Sequence, residues 1–179
     1  MKHIAKLISI FILIFSVNAL SAQDFNPEDY REAQSTFVNI DDTRYYILDV
    51  PVSPYVIENQ AIQIFNDEEI NIEIELDDYE IVSMKAVKEI VNPEKTITIK
   101  LNQVTKRDNP EVHDYSVMLL KNRLDKDLNY KAMMYIFGHD NWIDTSVVPV
   151  PAELQTSEIW PNILLTLVLY DFKFTPRTR

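Results

Sequence analysis

Carboxylates are the most abundant groups in this chain that could do chemistry. They come in close sets: Asp41/Asp42, Asp67/Glu68/Glu69, Asp77/Asp78 and the alternating pair Glu73/Glu75. Residues two apart on a strand stand about 6.6–6.8 Å from each other, a separation compatible with the two acids of an inverting glycosidase. That reaction also needs a cleft across a sugar ring, and an outward glutamate pair on an amphipathic strand is the common solvated pattern. The same oxygens suit calcium, yet no Asp-x-Asp-x-Asp-Gly loop occurs. These acids are therefore assigned neither a catalytic nor a metal role, and no cofactor is implied.

Two other residue types invite a functional reading. His113 and His139 are each followed by an aspartate, a pairing that suits a metal or a general base. They lie 26 residues apart with no third ligand at metal spacing, so they read as loop histidines with local polar partners. Among the aromatics, Tyr45 and Tyr46 point to opposite faces of one strand, and Trp142 sits just past a turn at 138–141. Flat rings at a surface can stack on sugars, which makes Trp142, Tyr45 and Tyr46 candidate glycan contacts. Trp160, beside a long apolar strand, reads as core.

The elements that must position these residues are mostly strands. Asn26-Pro27-Glu28-Asp29 is a helix start, with a capping Asn, Pro at the first helical position and acids at the positive end of the dipole; one or two turns could follow, reaching toward Gln34. Beyond it the hydrophobic period becomes two. Ile70, Ile72, Ile74 and Leu76 alternate with Asn71, Glu73 and Glu75, which places the glutamates on the solvent face of a half-buried strand. Ile97, Ile99 and Leu101 repeat the pattern, and residues 80–91 are expected to pair with them through the turn at Asn92-Pro93. Residues 45–50 and 55–65 read as earlier strands. Tyr115, Val117 and Leu119 alternate as a strand, and Tyr130, Ala132, Met134 and Ile136 would answer as its partner; a helix from Asn109 toward Leu124 is the competing reading. Residues 163–174 are apolar on both faces, as a central strand requires. About nine or ten strands and one short helix make an all-β antiparallel two-sheet sandwich over residues 36–179, preceded by an N-terminal segment at 23–35.

Composition narrows the function classes. The chain has one glycine where average usage of about 7% would give roughly a dozen. Phosphate-cradling loops, dinucleotide fingerprints and the Gly-x-Ser-x-Gly elbow are therefore absent. It has no cysteine, which removes thiolate chemistry and disulfides. Lys2 and Lys6 precede an apolar run over 7–17, and small residues at Ala19, Ser21 and Ala22 complete a secretory signal over 1–22. From Leu7 to Ala22 is 16 residues, short of the roughly 20 that a bilayer helix needs, so cleavage leaves no anchor. No Asn-x-Ser/Thr sequon occurs, and a bacterial periplasmic or surface protein is the simplest setting.

Without the signal, 157 residues carry 15 basic and 28 acidic side chains, a balance of −13 that argues against nucleic acid and against an anionic membrane surface as partners. The acids are concentrated early: residues 23–80 hold 16 against Arg31 and Arg44, while residues 81–179 hold 12 acids and 13 bases. The expectation is an exported, non-enzymatic binding protein of the bacterial envelope. It would recognise a protein partner through an acidic β-face carrying Glu73, Glu75, Asp77 and Asp78, or through an open edge strand. The alternative is a carbohydrate-binding module using the surface aromatics.

Overall fold

The computed structural model describes residues 26–177, so the signal expected over 1–22 lies outside the described residues. The chain enters at Asn26, whose side-chain oxygen accepts from the Glu28 N–H and starts one 3-10 turn, Pro27–Asp29. The turn ends there, short of Gln34, because Tyr30 is already extended and enters a strand. No helix among the described residues is long and apolar enough to cross a membrane.

Fourteen strands follow: β1 (Tyr30–Arg31), β2 (Gln34–Asp41), β3 (Arg44–Val50), β4 (Ser53–Pro54), β5 (Val56–Ile57), β6 (Ala61–Phe65) and β7 (Glu68–Asp77). The second half supplies β8 (Glu80–Val87), β9 (Thr96–Lys106), β10 (Asn109–Asn122), β11 (Asp127–Ile136), β12 (Ile143–Thr145), β13 (Gln155–Trp160) and β14 (Leu164–Thr175). Ten of them form the expected sandwich of two five-stranded sheets, ordered β13-β10-β9-β7-β8 and β12-β11-β14-β6-β5. The other four make two small ribbons, β1 with β4 and β2 with β3.

Period-two alternation places the core between the sheets. Ile70, Ile72 and Ile74 of β7 and Ile97, Ile99 and Leu101 of β9 face Ile62 and Ile64 of β6 and Leu164, Leu167 and Leu169 of β14. As its apolar faces require, β14 is central, and Trp160 is buried. Two pairings differ from expectation. β8 does not pair with β9; it hydrogen-bonds to β7, and the turn at Asn92-Pro93 carries the chain across β7 to its other edge. β10 and β11 are both strands, but they join opposite sheets, β10 beside β9 and β13 and β11 beside β14 and β12. In β10 the inward side chains are Ser116, Met118 and Leu120, one residue out of phase with the expected face.

With so little glycine, left-handed backbone falls largely to aspartates. Asp67, in the β6–β7 turn, has φ 65°, and Asp78, in the β7–β8 turn, has φ 55°; their short polar side chains lower the steric cost of that region.

One end of the sandwich is closed by Arg31, which is 1% exposed. Its Nε donates to Glu68 Oε1 at 2.8 Å, Nη1 to Ser53 Oγ at 2.8 Å and Pro54 O at 3.2 Å, and Nη2 to Gln63 O at 2.6 Å. The guanidinium carbon lies 4.7 Å from the Tyr55 ring centroid and 4.9 Å from that of Phe65. Glu68 in turn accepts from the Phe65 N–H at 2.8 Å. Removing one member of such a pair leaves a buried charge uncompensated, which costs about 3–5 kcal/mol. Arg31→Met is expected to lose stability in that range by urea denaturation, and adding Glu68→Gln to it should recover part of the loss. A single variant as stable as the parent would contradict this reading.

Candidate functional site

The acidic residues singled out by sequence lie on and beside β7, and the fold separates their environments. Glu73 is not the exposed carboxylate that alternation predicts: it is 7% exposed on the outer face of β7. Lys85 on β8 reaches its Oε1 at 3.0 Å, and the Asn92 amide donates to its Oε2 at 2.8 Å from the turn before β9. Asn92, then Lys85, hold the Glu73 carboxyl below its ordinary value against the opposing effect of burial. Glu75 is exposed and pairs with Lys95 at 2.9 Å, and Glu69 pairs with Lys100 at 3.0 Å. Because β7 sits between β8 and β9, lysines from the second half of the chain answer acids from the first. The charge asymmetry of the sequence is thereby reduced in space. Asp77 and Asp78 remain exposed at the β7–β8 turn and form no ion pair with another described residue.

The histidines separate as well. His139 is exposed in the turn after β11, beside Gly138, whose φ of 81° the turn requires. His113 is partly buried on β10 between Gln103 and the Pro161 carbonyl. Among the described residues, no three His, Asp or Glu side chains gather as a metal site would need. The hollow over Glu73, about 430 Å³, is also lined by Glu28, Lys85, Lys88 and Glu89. Its buried carboxylate is already held by Lys85 and Asn92.

A set of exposed apolar groups that touch one another lies elsewhere, on the β2–β3 hairpin, which packs as an extra layer beside the sandwich. Its inner face buries Val38, Leu48 and Val50 against Leu165, with Phe65, Tyr135, Phe137 and Ile163 around them. Its outer face carries Phe37 at 62%, Tyr45 at 60% and Ile47 at 47% exposure. Phe37 lies opposite Ile47 and meets the Tyr45 ring edge-on, with centroids 5.3 Å apart. At the tip, the Asp41 carboxylate accepts from Thr43 and from Arg44 Nε at 2.7 Å; Arg44, then Thr43, hold it well below the usual carboxylate range.

Tyr46 turns inward and packs on Phe137 at 5.3 Å, while Trp142, 43% exposed, packs on Tyr135 at 5.4 Å. Tyr46 and Trp142 thus flank the same small core from two sides, and Tyr45 points away from both. Sequence reading missed Phe37 and Ile47. The alternation of Phe37 with Val38 would have marked a strand with apolar groups on both faces, but not which face stays open.

Among the described residues, β3 pairs with β2 on one side and with no strand on the other. The hairpin and its open edge on an all-β sandwich define this site. No family model, curated protein or solved structure matches the chain.

The Asn92–Glu73 contact has a pH signature. A carboxyl held below its unfolded value contributes stability that is present above that value and is lost as pH falls through the folded one. The stability difference between the parent and Asn92→Ala should be full above about pH 5 and shrink as pH falls through the carboxylate range. Urea melts across pH check this. A difference that stays constant with pH would mean that Asn92 acts only through the turn.

Proposed function

We propose that this chain is an exported, non-enzymatic binding protein of the bacterial envelope, acting in the periplasm or at the cell surface, that takes a segment of a protein partner as an added strand along β3. The observation that carries this reading is the open β3 edge, with Tyr45 and Ile47 exposed beside it. Natural proteins blunt exposed edges with lysine, proline or a bulge. The edge strand β8 follows that practice: it carries Lys85, has a register shift at Val82 and is approached by Gln60, which donates to Ile81 O at 3.3 Å. β3 reads Arg-Tyr-Tyr-Ile-Leu-Asp-Val, with charges at Arg44 and Asp49 and none over the stretch 45–48 between them. In β-augmentation the main chain supplies affinity and alternate side chains supply specificity. The alternate residues here are Tyr45, Ile47 and Asp49 on the outer face and Tyr46 on the inner one.

Exposed acids contribute a secondary part. Asp77 and Asp78 can steer a basic partner, whereas Glu73 and Glu75 are engaged by lysines. A glycan reading keeps one supporting observation, the exposed Trp142 ring beside Tyr135.

Capture of partners from an envelope extract, with the parent chain and two paired variants, separates these readings. Tyr45→Lys with Ile47→Lys is expected to remove a stoichiometric partner at low and moderate salt with unchanged circular dichroism. Asp77→Asn with Asp78→Asn should retain it and only reduce its salt dependence. Loss in the second pair alone would move the site to the acidic turn. An empty eluate from the parent would overturn the protein-partner reading. Polysaccharide titration then becomes decisive, because Trp160 is buried and a change in tryptophan emission reports Trp142.

A further inference from the structure

The edge of β2 away from β3 is held to the sandwich at Asn39 by a side chain rather than by a strand. Gln103 of β9 places its amide against the Asn39 backbone: Oε1 accepts from the Asn39 N–H at 2.8 Å, and Nε2 donates to the Asn39 carbonyl at 2.8 Å. Those two bonds fix which way the amide faces. The second Nε2 proton of Gln103 then points at His113 Nδ1, 2.9 Å away, so Nδ1 must accept. The single ring proton consequently sits on Nε2, where it donates to Pro161 O at 3.2 Å. Every donor in this run from Asn39 to Pro161 has an acceptor only while His113 is neutral.

Protonation would put a hydrogen on Nδ1 facing the N–H of Gln103, two donors at hydrogen-bond distance. Turning the amide over would relieve that clash. It would also set an oxygen against the Asn39 carbonyl and an NH₂ against the Asn39 N–H, breaking both bonds to the hairpin. A charged His113 and a closed Gln103–Asn39 clasp are therefore mutually exclusive.

We propose that His113, Gln103 and Asn39 form a proton-sensitive latch, which holds the distal half of the β2–β3 hairpin on the sandwich at neutral pH and releases it on acidification. The proximal half stays tethered, through Thr36 to Asp67 at 3.0 Å and through Gln34 to Glu68 at 3.4 Å. Release concerns the stretch from Asn39 around the tip to Tyr45, its cross-strand partner.

The surroundings of the ring set the direction. Burial pushes the imidazole below its ordinary value, opposed by the Pro161 carbonyl, by Asp114 on the same strand and by the Asn162 backbone. The elements packed against it present neutral groups: Gln103 and the cross-strand Thr105 from β9, Asn39 from β2 and the Pro161-Asn162 backbone. A histidine whose folded value is lowered adds stability above about pH 6.5, and that contribution is lost as pH falls below it. Acid therefore loosens the hairpin. The consequence for binding, a weaker β3 edge at low pH, rests on the edge-strand reading above; the latch itself does not.

The test is an NMR titration of the labelled chain from pH 7.5 to 5.0, without a partner. The His113 ring is expected in its Nε2–H tautomer at pH 7.5 and to titrate below about pH 6.5. The Asn39 and Val38 amide signals should move on the same curve. The protection of Asn39 against hydrogen exchange, corrected for intrinsic rate, should fall about tenfold. In His113→Gln, whose side-chain oxygen can accept from Gln103, the hairpin signals should stay flat. Hairpin signals that ignore the His113 titration, or that titrate equally in His113→Gln, would overturn the proposal. If that variant does not fold, the parent decides by whether the two midpoints coincide. Loss of a partner in Tyr45→Lys/Ile47→Lys bears only on the edge reading, and the titration bears only on the latch.

Discussion

The guanidinium of Arg31 is the constraint on which the rest of the arrangement depends. It bonds to β4 through Ser53 and Pro54, to β6 in one sheet through Gln63 and to β7 in the other through Glu68. Glu68 extends the knot to the Phe65 backbone and to Gln34 at the start of β2. One buried ion pair thus joins both sheets and both small ribbons. In a chain without cysteine it takes the place a disulfide would have, fixing where the hairpin leaves the sandwich. Its value lies in geometry: a buried charge pair adds little net stability over an apolar substitute, but neither partner can be moved alone.

The same device, a polar side chain closing on backbone, recurs where a strand ladder ends. Asn122 donates to the carbonyls of Lys126, Val150 and Pro151 and accepts from the Leu124 N–H. Asp127 accepts from the Ala152 N–H, and Ser116 bridges Asn162 and Leu164. Each supplies a partner to backbone groups at a corner of the sandwich. Gln103 belongs to this set, with one difference: its partner is the His113 ring.

Much of the fold was legible in sequence because burial imposes a period of two. The isoleucines of β7 and β9, the two apolar faces of β14 and the burial of Trp160 all follow from local pattern. What failed was partner choice. Nothing local distinguishes β8 crossing over β7 from β8 pairing with β9, since both place the same turn at Asn92-Pro93. β10 and β11 alternate as strands in either arrangement, and only the corner held by Asn122 and Asp127 sends them to opposite sheets. The site suffered from the same blindness. Glu73 looks solvated in a list of alternating residues, and it becomes buried when Lys85 and Asn92 close over it. Gln103 looks like any outward polar residue of a strand, and its role exists only because Asn39, 64 residues earlier, arrives beside it.

These observations describe a sandwich tied at one end by Arg31, with a hairpin attached as a separate layer whose outer edge pairs with no other strand among the described residues. Native-state hydrogen exchange tests that central claim most directly. The account predicts that the amides of β2 and β3 exchange through openings much cheaper than global unfolding and nearly independent of low denaturant, while β7, β9 and β14 exchange only with the whole. Hairpin amides as protected as those of β7, and opening with the same denaturant dependence, would make the hairpin an integral part of the core and contradict the account.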